Sequence, residues 1–468
     1  MNVRVGILGA GPAGLGLARQ LLVSPGHESL EVDVFEAADQ VGGLAASFEV
    51  EGVVFDHGSH RLHPSVAPEI LEVLRDLLGT TLQRRPRNGR IALGGRFVRF
   101  PLRPLDALAR LPLGFKLGLA RDLAWRPSRR GAATFASCLQ ERLGCTLCQA
   151  FYFPMARKLW GLEPESIDAE QARRRVATRS PGEILTRMVR RLVGRDRRRA
   201  GAEFFYPDGG FGRISEALAG DVRQRGGMIH LSSPVEGLHR SGDRWELESG
   251  GQVQTFDQLF STIPLSRLVA LLRPAAPTPV LDAADRLKSR AAVLVCVVLA
   301  RERWTDFDAH YVPTSGVPMS RCSELSHYAV ARRDRSRTGI CFEIPCDPGD
   351  EIWTSADCDL VESLHDQVAR LGLPPLDPVV ACHVRRVPAV YPVYDLGYDD
   401  RFAAVLSYVS QQPALVTLGR QGLFAHDNTH HALAMAWAAA SSFSPDTGWD
   451  GAAWNRACQG FAEHTVED

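Results

Sequence analysis

Gly9, Gly11 and Gly14 are spaced for phosphate chemistry. They fall in Gly9-Ala10-Gly11-Pro12-Ala13-Gly14, which follows the β-rich run Val3 to Leu8 and precedes Leu15, Leu17, Ala18, Leu21 and Leu22 at helical spacing. In a strand, glycine turn and helix of this kind, Gly9 permits the tight turn and Gly11 lets the backbone approach a pyrophosphate. Gly14 lets helix and strand pack closely. The helix N-terminus at Pro12 and Ala13 offers free N–H groups and a positive dipole end to the phosphates. Glu36 closes the second strand, Glu31 to Phe35, at the spacing of a carboxylate that binds a ribose hydroxyl. A second glycine pair, Gly42-Gly43, follows at short range, with Leu44 beside it. That pair favours FAD over NAD as the dinucleotide.

Further along lie other residues capable of chemistry. His60 and His63 occupy Phe55-Asp56-His57-Gly58-Ser59-His60-Arg61-Leu62-His63, and imidazole titrates near neutrality. Trp160 stands in Lys158-Leu159-Trp160-Gly161-Leu162, where the flanking leucines suit a core position equally well. Arg175 and Arg179 follow; a planar guanidinium fork grips phosphate oxygens bidentately, whereas Arg173 and Arg174 read as a solvated helix face. Tyr391 sits in Tyr391-Pro392-Val393-Tyr394, and Gly419-Arg420-Gln421-Gly422 leads through Asn428 to His430 and His431. No metal site is expected, since nothing near the His430-His431 pair in sequence completes a ligand set. Cys145 and Cys148 form one CxxC without a second pair, and read as a buried helical pair.

These motifs, in this order, resemble the flavoprotein class that includes amine oxidases, protoporphyrinogen oxidases and UDP-galactopyranose mutases. The Gly58-x-His60 loop, with His63 three positions on, is similar to the histidine loop of the mutases and their protoporphyrinogen-oxidase-like relatives, which lies over the isoalloxazine ring. Lys158-x-Trp160 and Arg175-x-x-x-Arg179 are similar to the mutase pocket motifs, the second arginine there gripping a diphosphate. Tyr391 resembles a tyrosine that meets diphosphate or sugar. The stretch from Gly419 resembles the one that contacts the ribityl chain and the flavin pyrimidine edge, and Val235 matches a residue whose backbone receives adenine. Mutases usually carry a basic residue at the position of Leu44 and acidic residues after the Gly-Arg motif, where this chain has Asn428 and His430. The resemblance implies a reduced-flavin, redox-neutral nucleotide-sugar mutase with non-covalent FAD, kept reduced by a donor such as NAD(P)H. The alternative is an FAD-dependent oxidase or desaturase of an amine, alcohol or C–C bond.

Positioning such residues requires an α/β fold. A Rossmann-type FAD-binding domain is expected from residues 1–75, 203–270 and 405–450. A mixed helical and β-sheet substrate domain is expected from 76–202 and 271–404, with a helical, arginine-rich stretch from about 79 to 200. The apolar run Ala291 to Ala300 reads as a buried strand, being too short to cross a bilayer. Matched totals of 54 basic and 54 acidic side chains provide no global field to recruit nucleic acid or membrane, so a small molecule is the expected partner. Ten scattered cysteines suit a reduced, cytoplasmic protein. The arginines between Arg187 and Arg199 read as a solvated loop or a patch facing an anionic surface.

Overall fold

The computed structural model describes residues 2–100, 106, 109–124, 131–175, 203–329 and 334–466. The first glycine turn joins the strand Val3–Leu8 to the helix Pro12–Leu21. At Gly9 the backbone takes φ +100°, a region that favours glycine. A Cβ on Gly14 would lie 1.9 Å from the Gly9 carbonyl oxygen, so only glycine lets the helix approach this closely. Val3–Leu8 is the middle strand of a five-stranded parallel sheet in the order Leu415–Thr417, Gln258–Ser261, Val3–Leu8, Leu30–Phe35, Met228–His230. Three separate stretches of chain thus return to one sheet, whose C-terminal strand ends face the turns that carry Gly9, Glu36, Thr262 and Leu418.

A second, seven-stranded sheet runs in the order Val379–Pro392, Ser289–Leu299, Thr338–Cys346, Arg321–Glu324, Ala309–Tyr311, Gly89–Leu93, Arg96–Phe100. Its interior strand Ser289–Leu299 shows why an unbroken apolar run was needed. Val293, Val295 and Val297 pack into one hydrophobic cluster with the helix Asp357–Arg370, whereas Leu294, Cys296 and Val298 join the cluster shared with the first sheet. Both faces are covered, so the side-chain alternation of the strand is invisible as polarity.

The expectation of helix from residue 79 onwards fails for its first part. Leu82–Pro86 pairs with Glu203–Pro207, and Gly89–Leu93 pairs with Arg96–Phe100 at the edge of the second sheet. Alternation does the positioning here: Gly89, Ile91 and Leu93 are buried while Arg90 and Ala92 are less so, and the arginines mask the period of two. Helical structure resumes at Leu113–Ala124, Phe135–Leu143 and Phe153–Trp160. The CxxC is helical, as expected, spanning the short helix Cys145–Leu147 and the start of the π-helical turn Cys148–Tyr152 that leads into Phe153–Trp160; Cys148 is buried and Cys145 half-buried, and every cysteine is a free thiol. Among the described residues, no helix is long and apolar enough to cross a membrane.

Candidate active site

A cavity of about 1140 Å³ is lined by residues of both sheets. It exceeds the ~300–1,000 Å³ usual for small-molecule pockets, leaving room for a large cofactor together with a substrate. Gly9, Gly11, Pro12, Ala13, Glu36, Gly43 and Leu44 line one end. The Glu36 carboxylate accepts from the Ala10 N–H (2.8 Å) and the Ala38 N–H (3.0 Å), which fixes it against the turn. Gly42 N–H donates to the Ala10 carbonyl at 2.8 Å, joining the second glycine pair to the first. A Cβ built on Gly11 would meet only the Gly42 carbonyl, at 3.9 Å, so the space over its α-carbon holds no protein. This cradle, open above Gly11 and closed behind Gly14, fits the diphosphate of a dinucleotide.

Val235 begins the strand Val235–Ser241 and does not line the cavity. The chain just before it is tied to the acid loop, Ser233 N–H donating to Glu36 O and Ser232 N–H to Ala38 O, both at 2.8 Å. Asn428 precedes the helix Thr429–Ser441, and Asn428, Thr429 and Ala432 line the cavity, so the N-terminus of that helix faces it. Gly419, at φ +80°, lets the chain pass close to Ala13 and place Arg420 and Gln421 on the wall.

The His60 ring stacks on Phe211, centroids 5.3 Å apart, and its Nε2–H donates to the His57 carbonyl at 3.1 Å. Burial lowers its pKa to about 4, against hydrogen bonds that raise it, and the Arg321 and Arg420 charges add to the fall. The expectation of a histidine titrating near neutrality is therefore corrected: His60 is neutral at pH 7 because its surroundings exclude water and already hold cations. His57, not singled out from the sequence, also lines the cavity. Its Nδ1–H donates to Gly43 O at 3.0 Å, and burial, then Arg385 and His60, bring it to about 4. His63 Nδ1 lies 2.7 Å from Ser65 Oγ, and its ring is 6.0 Å from that of His430.

Trp160 is buried, edge-on to Phe135 at 5.3 Å, and its indole N–H has no hydrogen-bond partner. Tyr391 stacks on His426 at 5.7 Å; burial, with Glu343 adding, pushes its hydroxyl up to about 12. His426 has no counterpart in the sequence reading. Two donors face its ring, Arg175 Nη1 at 3.2 Å from Nε2 and the Gln171 amide nitrogen at 3.1 Å from Nδ1. Burial, then Arg175, Arg420 and Arg174, holds His426 well below the usual histidine range. Arg179 and the cluster from Arg187 to Arg199 lie outside the described residues.

Several basic residues turn out to be occupied by the protein. Arg420 donates to the carbonyls of Asp427 (2.8 Å) and Val390 (2.5 Å), so it ties two wall segments together. Lys158 does the same for Val312 and Met319 and does not line the cavity; burial lowers it to about 7. Arg321 grips Glu343 through Nε (2.8 Å) and Nη2 (2.7 Å), and Ser59 N–H donates to the same carboxylate. Arg174, expected on a solvated face, is largely buried between Glu170 and Asp427, and its carbonyl accepts from Val466 N–H. The reading that nothing sits near His430-His431 is also corrected. The fold brings Asp427 and, from the C-terminal tail, His464 to His431, with His464 Nδ1 3.0 Å from Asp427 Oδ2. The Asn428 N–H donates to His431 Nδ1 and Arg174 stands 3.8 Å from Asp427, so this group tethers the tail through hydrogen bonds.

A family model described as flavin containing amine oxidoreductase matches residues 12–398, a span that begins inside the glycine turn and includes Gly14, Glu36, the histidine loop and Tyr391. The chain belongs to that family. It is therefore a flavoenzyme, as the cradle at Gly11 had suggested. Coproporphyrinogen III oxidase of Mycobacterium leprae (strain TN) is 24% identical over 436 residues, 88% of this chain and 92% of its own. The fold is shared with reduced UDP-galactopyranose mutase at TM-score 0.78 and 20% identity, covering 94% of this chain and 95% of that one. It is shared too with an Exiguobacterium sp. 255-15 protein assigned as a protoporphyrinogen oxidase, at TM-score 0.74 and 18% identity, covering 94% and 98%.

Proposed function

We propose that this protein is an oxidoreductase that removes a hydride equivalent from an anionic organic substrate, with FAD held non-covalently. FAD, when bound, supplies a two-electron acceptor that oxygen or another oxidant regenerates. The glycine turn and Glu36 would hold its ADP half, and the N-terminus of the helix Thr429–Ser441 favours negative charge at the other end. His60, neutral and donating through Nε2, keeps its loop fixed without adding a cation. Trp160, Phe135 and Tyr391 give the substrate an apolar, water-excluding wall.

The observation that carries this reading is the charge of the wall beyond the dinucleotide end. Arg87, Arg175 and Arg385 line it, while Arg321 and Glu343, which line it too, neutralise each other. A protonated amine would meet guanidinium groups there, whereas a carboxylate would be drawn in. The oxidase from M. leprae supports the redox assignment and supplies the first substrate to try, coproporphyrinogen III. The nucleotide-sugar mutase is the second reading, because the same arginines suit a diphosphate.

Two anaerobic experiments separate them. Oxidised enzyme is mixed with coproporphyrinogen III and a panel of reduced organic carboxylates; loss of the oxidised-flavin absorbance with formation of a dehydrogenated product supports oxidation. Chemically reduced enzyme is mixed with nucleotide sugars; an isomeric product with the flavin still reduced overturns it in favour of the mutase.

A further inference from the structure

A diphosphate in the cradle at Gly11 brings negative charge to a turn that carries no cation of its own. The turn offers backbone N–H groups and a helix end, Leu44 beside Gly43 is apolar, and Glu36 is itself an anion. Several arginines of the cavity are committed elsewhere: Arg321 to Glu343, Arg61 to Tyr328 and Asp308, and Arg420 to the carbonyls of Asp427 and Val390. Arg385 is different. It lines the cavity half-buried, with no hydrogen bond or ion pair to any described residue and with none of its nitrogens closed off.

Strand pairing turns this side chain into the cavity. Arg385 and Glu343 are the partners of Leu294 on its two sides, so all three project from one face of the second sheet. Leu294 and Glu343 line the cavity too, and Glu343 accepts from the Ser59 N–H, which sets this row of side chains against the histidine loop. At the Arg385 end the row meets the chain that follows the second glycine pair. The Arg385 guanidinium lies 5.3 Å from the ring centroid of Phe48, which is four residues beyond Leu44, and the Phe48 ring is 5.7 Å from that of His57. His57 Nδ1–H donates to Gly43 O, and a Cβ on Gly43 would lie 3.7 Å from the Gly11 α-carbon. Phe48, His57 and Gly43 therefore link Arg385 to the cradle, and after burial it is the Arg385 charge that most opposes protonation of His57. Arg385 stands where the arginine-lined wall meets the dinucleotide end.

We infer that Arg385 is a cofactor-anchoring residue whose guanidinium neutralises the FAD diphosphate, reaching it from the second sheet while the glycine turn holds it from the first. A planar fork suits a diphosphate because it meets two oxygens at once. The assignment holds for oxidase and mutase alike, since both use the same cofactor, and it leaves the rest of the wall to the substrate.

The test starts from flavin-loaded enzyme, diluted until FAD is released and read by the fluorescence of the free flavin. ADP, which carries the diphosphate without the flavin, is then titrated as competitor. Arg385→Met, which keeps the apolar stem, should weaken FAD about 10- to 100-fold, the size of one charge-assisted contact. ADP should weaken by a similar factor. Arg385→Lys should fall between wild type and Arg385→Met, because it keeps the charge and loses the fork. Equal FAD affinity in wild type and Arg385→Met overturns the inference. Weakened FAD with ADP bound equally by both proteins, or by neither, overturns the diphosphate assignment and moves Arg385 to the flavin half. Arg385→Lys as weak as Arg385→Met, with the melting temperature of the flavin-free chain lowered in both, would mean that the side chain supports the fold instead.

Discussion

Gly11 and Gly14 lie three residues apart in one turn, and the structure assigns them opposite consequences on substitution. At Gly14 an added Cβ would sit 1.9 Å from the Gly9 carbonyl oxygen, a backbone atom that is itself fixed in the turn. The helix Pro12–Leu21 would have to retreat by more than an ångström from the sheet, at a contact where Val5 and Ile7 of the strand and Leu15 of the helix are fully buried. Overpacking of that kind costs about 1–3 kcal/mol or more. At Gly11 the backbone has φ −77° and ψ −179°, which any residue adopts, and the nearest protein atom to a Cβ is 3.9 Å away. Gly11→Ala should therefore change the stability of the flavin-free protein by no more than about 0.5 kcal/mol.

Flavin binding reverses the order of interest. The space over Gly11 is where the diphosphate must approach the backbone, so a methyl group there displaces the ligand by contact, at about 1–3 kcal/mol, or roughly 5- to 150-fold in affinity. Denaturant melts of the flavin-free proteins and fluorescence titrations with FAD measure the two quantities separately. The expected pattern is a stable Gly11→Ala protein that loses flavin on gel filtration, and a Gly14→Ala protein already destabilised without flavin. A Gly11→Ala variant that binds FAD with wild-type affinity would refute the assignment of that open space to the cofactor.

Glu343→Leu should destabilise the protein by about 3–5 kcal/mol in denaturant melts, because it strands the buried Arg321 guanidinium; a change under 1 kcal/mol would mean that water reaches Arg321. Acid should weaken the fold between pH 6.5 and 4. His57 and His60 are lowered to about 4, and His310 and His426 lie well below the usual range, all chiefly by burial, so the unfolded chain binds protons that the native state refuses. Asp56 opposes them: burial raises it to about 6, so the native state takes up one proton in this window. Roughly three net protons remain, worth about 4 kcal/mol per pH unit at the steepest point, and a flat stability profile between pH 4 and 6 would contradict the assigned burial. His60→Gln should flatten that profile by about one proton without abolishing it.

The parts of this molecule that were legible in the sequence are those encoded within one short stretch. The glycine turn, Glu36 and the strand at Ala291 to Leu299 each declare themselves through local spacing. The strands at Gly89–Leu93 and Arg96–Phe100 did not, because Arg90 and Arg99 occupy positions that alternate with buried Ile91, Leu93 and Val98. A charged residue on the less buried face of an edge strand looks, from composition alone, like a charged helix. His426 was invisible for another reason. Its meaning comes from Arg175, Gln171 and Tyr391, which arrive from other parts of the chain.

Arginine makes the same point more sharply. A guanidinium can bind a ligand or close a gap in the protein's own hydrogen bonding, and the residue type is the same in both cases. Arg420, in a recognisable motif, has both terminal nitrogens taken by the carbonyls of Asp427 and Val390, so its value lies in joining two walls of the cavity. Arg87, in no motif, keeps its two-donor edge enclosed and unspent. What separates them is the set of acceptors within reach, and that set is fixed by the pairing of strands distant in sequence. In a cavity with this many arginines, residue type alone therefore does not identify a binding group; the acceptors that the fold already places within reach of each guanidinium do.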